Sequence, residues 1–424
     1  MAIEDSVTIN INKKLRDQCH VSSDCCIFEV PSDLRSVNEK AYEPQMIAIG
    51  PYHHGKAHLS AMEKHKIRYL QSFLRRGDKN DVSWYVQLIR GLEESARKCY
   101  AEHICLPEDA FVEMLLLDGC FIIEFICKLV DPDAEDPIIG SDHKSRGVIK
   151  LDLLLLENQL PFFILRELLV TSAWIQNPEI EFIKLILLVY GSYLPGPRYD
   201  PDPSHKYTPE EMTQIKNLLG LLHDYWKPSR ARIKAYSEQR KHVRKFMRCA
   251  TELKEAGIEF KSVKGCNLFD IKFEHGRIEI PKIEIADSTE RVLRNLIAYE
   301  QLTSFENPYY FTDYMVFMDS LIDSAKDVEL LCRRKIIVNR LGDDETLATL
   351  FNKIGKYVVC NRVLYADIAK KVDEHCEKRR NLWMANLRHD HFNTPWATIS
   401  VLAAIVLLLL TCTQTVYSVL SYYK

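Results

Sequence analysis

The strongest constraint on this chain lies at its end, where no residue from Phe392 to Tyr423 carries a charge. An uncharged terminal run of that length has few places to lie in water. At 1.5 Å per residue, Trp396 to Val416 gives ~31 Å of helix, enough to cross a hydrocarbon core of ~30 Å, and Leu402 and Leu410 belong to its aliphatic centre. Thr394 and Pro395 suit the N-cap and first helical position. Trp396 at one end and Tyr417, Tyr422 and Tyr423 at the other sit where interfacial aromatics belong. Lys378, Arg379, Arg380 and Arg388 precede the run and only Lys424 follows it, a bias that faces the large upstream part to the cytosol. The expectation is a single-pass tail anchor over 396–416 with a short tail at 417–424, in a plasma or endoplasmic reticulum membrane that the sequence does not distinguish. Thr411, Gln414 and Thr415 share a helical face, which opens self-association through that helix. The competing reading is a buried core helix, because Val401–Leu410 is a short aliphatic stretch and Thr411, Thr413, Gln414 and Thr415 interrupt it.

Upstream of that run the composition is that of a folded chain. Across 424 residues, 47% are apolar and 27% charged, which fits neither a disordered chain nor a multi-pass membrane protein. A net charge of -3 exerts no global pull on nucleic acid. The first 25 residues read as a flexible N-terminus without the apolar stretch of a signal peptide. Thirteen cysteines lie scattered among apolar patterns, with no CxxC pair, so buried reduced thiols are expected rather than a disulfide framework or a zinc fold.

The fold class expected is mainly α: one large helical domain over 26–391 with short β hairpins. Cys26–Val30 and Met46–Ile49 read as short extended pieces bounded by proline. Ser60–Arg76 has helical spacing through Met62, Ile67, Leu70 and Leu74, and Val86, Ile89 and Leu92 form a second such face. Phe111–Val130, apolar nearly all round, predicts a central buried helix. Leu151–Leu156 begins a further apolar helix that breaks near Pro161. Prolines cluster at 191–209, the best candidate for a surface loop. Leu268–Ile285 alternates as a hairpin around His275-Gly276, and Asp287 with Glu290 forms a capping box for the helix that follows.

Several of these stretches, in order, resemble a known family. The runs IFEVPSDLRSVNEKAYEPQMIAIGPYHHG, MEKHK, LLLDGCFIIEF, LLLLENQLPFFIL, FDIKFEHGRIEIPKIEI, STERVLRNLIAYEQ and NTPWATIS are similar to the plant family called domain of unknown function 247, from Ile27 to the C-terminus. The resemblance implies a plant source, a mainly helical domain and a C-terminal membrane anchor, and it implies no reaction. Some grass members of that family are associated with pollen-side self-incompatibility, and no residue of this chain assigns it to that subset.

Three constellations could carry chemistry. His53, His54 and His58, with Glu63 and His65 nearby, are the densest metal-capable group, although Pro51 and Gly55 disfavour the helix that would align them; a turn with capping histidines is the plainer reading. Asp118, Glu157, Asn158 and Gln159 stand between apolar runs, where they either form a polar site or satisfy freed backbone groups. Lys227–Arg248 holds nine basic residues against one acid, with Arg240, Lys241, Arg244, Lys245 and Arg248 as a solvated or membrane-apposed face; aromatic interleaving for nucleic acid is lacking. There is no GxSxG elbow, phosphate-cradling glycine loop, HExxH or kinase set, and no cofactor is expected. The function expected is therefore a membrane-anchored interaction, signalling or recognition module with protein partners. The alternative is an enzyme built around Glu157 and Asp118, or around a His53/His54 metal site.

Overall fold

The computed structural model describes residues 5, 7–8, 25–77, 81–131, 136, 143–172, 178–191, 214–226, 228, 232–234, 247–264, 267–303, 309–360, 364–377 and 395–422. In chain order the first helices are α1 (Ser32–Val37), α2 (Ser60–Arg76), α3 (Val82–Arg97), α4 (Glu108–Val130), α5 (His143–Asp152), α6 (Phe162–Ser172), α7 (Pro178–Tyr190) and α8 (Leu218–Tyr225). After α9 (Ala250–Glu255) come the strands β1 (Glu259–Val263), β2 (Lys272–Glu274), β3 (Arg277–Pro281) and β4 (Ile283–Ile285). The chain continues through α10 (Asp287–Thr303), α11 (Tyr310–Leu321), α12 (Ala325–Arg333), β5 (Ile337–Asn339), α13 (Asp344–Ile354), α14 (Ala366–Glu377) and α15 (Pro395–Tyr422). It is mainly helical with short strands.

The apolar run at 111–130 does become the central helix. α4 buries side chains on every face, from Phe111 through Cys127, because α2, α3, α6 and α7 all pack against it. Phe121 and Phe125 stack within it at 5.5 Å and are fully buried, each stabilising the fold by about 1.5–3 kcal/mol. Gly119 lets α6 approach, since a Cβ there would sit 2.6 Å from a Leu168 methyl. The same apolar cluster runs on without a break to α10, α11, α13 and α14.

The His275-Gly276 turn forms as the alternation predicts, with φ of 51° and 77°, values that suit a two-residue hairpin turn. It joins β2 antiparallel to β3. What alternation cannot show is that β1 lies parallel to β3 on its other side, or that β4 leaves the hairpin and pairs in parallel with β5. β1 and β5 thus end their respective sheets.

The structure corrects several local expectations. α2 buries Met62, Lys66, Tyr69 and Phe73, while Ile67 is 52% exposed; the helix is rotated so that Lys66 reaches an internal carboxylate. Leu153–Leu156 is not helical, because α5 ends at Asp152 and side chains take the carbonyls that a continuing helix would use. Met46–Ile49 forms no strand: Met46 lies in a bend and 47–49 in irregular backbone. Of the basic stretch, Arg240, Lys241, Arg244 and Lys245 lie outside the described residues, and Arg248 is exposed. The proline-rich stretch from 192 to 209 also lies outside them, as does the N-terminus apart from residues 5, 7, 8 and 25.

The expected membrane span is also corrected. Residues 395–422 form the helix α15, yet among the described residues no helix is long and apolar enough to cross a membrane. Leu402, Leu410 and Val416 are exposed on this helix, and the polar Thr411, Thr413, Gln414 and Thr415 interrupt its apolar run. The threonine hydroxyls turn back onto their own helix, Thr411 Oγ1 to the Leu407 carbonyl at 2.7 Å and Thr415 Oγ1 to that of Thr411 at 2.8 Å. The tail anchor, the single-pass membrane location with a cytosolic domain, and the membrane as partner lose their support with it.

Candidate functional site

The polar residues that interrupt the apolar run at 151–165 form a bracket that holds the N-terminal segment against the core. Asp152, fully buried, accepts from the backbone amides of Gln45 at 3.0 Å, Met46 at 2.7 Å and Ile47 at 3.0 Å, and from the Arg291 guanidinium at 2.8 Å. Asn158 accepts from the Ile49 amide at 2.7 Å and donates to the carbonyls of Ile47 and Asp152. Gln159 donates to the carbonyls of Leu153 and Leu155, both at 2.8 Å, and accepts from the Leu219 amide at 3.0 Å. From α10, Asn295 accepts from the Leu156 amide at 2.9 Å and donates to the Ala41 carbonyl. The stretch at 45–49 therefore has side chains where a strand would have a neighbour, which satisfies buried amides that would otherwise be costly.

Glu157 holds the preceding turn. Its Oε1 accepts from the Val30 amide at 2.6 Å and from Arg35, while Oε2 lies 3.3 Å from His53 Nε2. Burial alone would raise the Glu157 carboxyl, but His53, Arg35 and the Val30 amide outweigh it and hold it below the ordinary carboxylate range. His53 is buried between Glu157 and Glu43, whose Oε2 lies 3.7 Å from Nδ1. A histidine set between carboxylates has the form of an oriented base, yet His53 hydrogen-bonds to no Ser, Thr or Cys among the described residues.

Asp118 sits on the other side of the same segment, accepting from the Gly50 amide at 2.8 Å and meeting Lys66 Nζ at 2.5 Å. Burial raises the Asp118 carboxyl against the pull of Lys66 and the Gly50 amide. For Lys66, burial works against the ammonium and is outweighed by Asp118 and Glu63, so its pKa lies above the usual value. Asp118 and Glu157 are thus brought onto one segment, 26–50, by partners of their own rather than by each other. Lys66, Asp152, Arg291 and Asn295, on which the bracket depends, escape a sequence reading because their patterns are those of ordinary amphipathic helices.

The histidine trio divides. His53 is buried, His54 is exposed, and His58 is exposed with Nε2 3.2 Å from the Pro44 carbonyl. Among the described residues no group of three or more His, Cys, Asp or Glu could hold a metal ion, and the described cysteines are free thiols.

A different place is open to solvent. A groove of about 930 Å³ lies between β1 and the α12–β5 connection. Lys261, Lys264, Lys282, Arg333, Arg334 and Lys335 line it, all exposed, and the acids on its wall are Glu259 and Asp344. Lys261 is held by Glu279 at 2.8 Å and Arg333 by Glu329 at 2.5 Å. Lys264, Lys282, Arg334 and Lys335 form no ion pair with any described residue. Arg333, Arg334 and Lys335 gather where α12 ends, a position that favours cations. The end is made by Lys335 itself at φ 59°, a left-handed conformation that a lysine adopts at about 1–2 kcal/mol more than glycine. This groove was not read from the sequence, for its cations come from three separate elements; the Arg-Arg-Lys run at 333–335 was the one local signal.

Residues 27–410 match DUF247, described as a plant protein of unknown function. The chain belongs to this family. In Arabidopsis thaliana, UPF0481 protein At3g47200 is 30% identical across 94% of this chain and 87% of its own length. Putative UPF0481 protein At3g02645, from the same plant, is 24% identical across 92% of this chain and 89% of its own. No solved structure matches. Both the polar bracket and the basic groove lie within the DUF247 match.

Proposed function

We propose that this DUF247 protein is a protein-interaction module, of the recognition or signalling kind, that meets its partners at the basic groove beside β1. One juxtaposition supports the reading: Lys264, Lys282, Arg334 and Lys335, which pair with no described carboxylate, line one open cavity between β1 and the α12–β5 connection. A cluster of like charge on an exposed wall selects a partner of the opposite sign. The inner polar residues have another task, since the acceptors of Asp152, Glu157, Asn158 and Gln159 are engaged by backbone amides and by the guanidinium groups of Arg291 and Arg35.

The test places a photo-crosslinking amino acid at Lys282, in the groove, or at Lys353, also exposed, on α13, and irradiates the full chain in plant extract. Protein adducts at Lys282 that excess unlabelled protein abolishes, without counterparts at Lys353, are the expected outcome. Equal adducts at both positions would sink the assignment of the groove as the contact surface.

A further inference from the structure

We infer that the groove binds a phosphorylated segment of a partner protein, its phosphates set among Lys264, Lys282, Arg334 and Lys335. The inference rests on the interaction reading above and names the chemistry of the partner.

Backbone hydrogen bonds explain why cations from three elements meet. Lys282 N donates to the Val263 carbonyl at 3.3 Å, and the next amide, Ile283 N, donates to the Ile336 carbonyl at 2.8 Å. Successive amides of an extended chain point to opposite sides, so Val263 and Ile336 flank the β3–β4 junction. Lys264 follows the first, and Arg334 and Lys335 precede the second. Three neighbouring backbones therefore carry the four cations across two interstrand spacings, ~10 Å.

Among the described residues no carboxylate pairs with these four. The acids on the wall are turned to other partners, Glu259 to Arg277 at 2.8 Å and Asp344 to the Asn339 side-chain amide at 2.9 Å. The last carbonyls of α12 are also taken, that of Leu330 by the Arg334 amide at 3.1 Å, Leu331 by Ile336 at 3.0 Å and Cys332 by Lys335 at 2.8 Å. The side chains of Arg334 and Lys335 are therefore not needed as caps.

Charge density selects phosphate over carboxylate. Phe260 and Ile337 of the lining are buried and Val338 is half-buried, so what the wall presents is mostly charge. A phosphate ester carries about −1.5 to −2 at pH 7 on three strong acceptor oxygens. Two of them match four cations within ~10 Å, where carboxylates would need four side chains in the same length. Arg334 adds the planar fork that grips phosphate in two bonds. The cations line a groove rather than a flat face, which suits a chain segment more than a lipid surface.

The probe is a fluorescein-labelled octapeptide of glycine and serine with two phosphoserines three positions apart, ~10 Å when extended, titrated into the full chain by anisotropy. Saturable binding, weakened by salt, is expected, at least tenfold tighter than that of the same peptide with glutamate in both positions. Arg334→Ala/Lys335→Ala and Lys264→Ala/Lys282→Ala should each lose at least tenfold. They alter exposed residues of different elements, so misfolding of one leaves the other informative, and Lys353→Ala should bind as the unaltered chain does. Equal affinity for the glutamate peptide, or undiminished binding by both folded groove variants, would overturn the phosphate site. So would inorganic tripolyphosphate that displaces the peptide at concentrations no higher than the peptide itself requires, or phosphatidylserine vesicles that bind through these residues when the peptide does not; the first makes the ligand a free polyanion, the second a lipid surface. In plant extract, phosphatase treatment before irradiation should abolish the Lys282 adducts, with Lys264, Arg334 and Lys335 still in place. Adducts that survive it refute the phosphate chemistry and keep the interaction module, whereas no adducts in either extract refutes the module itself.

Discussion

Asp152→Asn tests whether the polar bracket holds the N-terminal segment. The substitution keeps the shape of the side chain and replaces one acceptor oxygen with a donor. In the native fold Oδ1 accepts from the Gln45 amide and Arg291, and Oδ2 from the amides of Met46 and Ile47. Whichever way the new amide turns, two donors face a donor. A hydrogen bond to a charged acceptor contributes about 1.5–3 kcal/mol, so the two lost bonds predict ~3–6 kcal/mol. Breaking a buried ion pair costs ~3–5 kcal/mol by a separate route, since Arg291 is itself buried. Either figure is a large share of the ~5–15 kcal/mol that holds a typical domain. Urea unfolding read by tryptophan fluorescence should show the midpoint falling with an unchanged slope. Amide exchange at Gln45, Met46 and Ile47 should accelerate more than exchange in α4. A loss below about 1 kcal/mol with protection at 45–47 intact would refute the bracket.

Other perturbations follow from the same geometry. Gly50→Ala combines φ 71° with a Cβ only 2.6 Å from the Gln159 carbonyl oxygen, so a loss above ~2 kcal/mol is expected. Gly55→Ala, at φ 78° in open space, should lose only ~1–2 kcal/mol, and equal melting shifts for the two would contradict the clash. His223 is buried, which disfavours its charge, but Asp224 and Glu300 outweigh burial and raise it from the usual 6.5 to about 9. A raised folded pKa gives stabilisation that is complete below about 6.5 and lost as pH rises through about 9. At ~1.4 kcal/mol per unit that is about 3 kcal/mol; His223→Gln should flatten the pH–stability curve across this window, and an unchanged curve would show that His223 is not its source. Arg340→Ala removes an exposed pair with Glu284 and should change stability by less than ~1 kcal/mol; a larger loss by calorimetry would mean that the pair is not solvent-screened.

The sequence determined what depends on near neighbours. The helix at 60–76, the central helix through 111–130 and the turn at His275-Gly276 follow from periods of 3.6 and 2 and from the conformational freedom of one glycine. The order of separate motifs was enough to identify the family. Tertiary structure decided what depends on residues far apart in the chain. Whether Lys66 faces water or the core turns on Asp118, 52 positions later. That Leu153–Leu156 leaves the helix follows from Gln159 and Asn158 taking carbonyls, with Asn295 securing the Leu156 amide from α10. The terminal apolar run shows the limit from the other side: the lack of charge from Phe392 to Tyr423 reads as a span, yet among the described residues no helix is long and apolar enough to be one. Beyond the Arg-Arg-Lys run at 333–335 the basic groove has no sequence signature, because a parallel strand pairing must be closed by a distant partner. Local energies select elements one at a time; which strands pair, and which charges stay unpaired, is set only when all of them have packed.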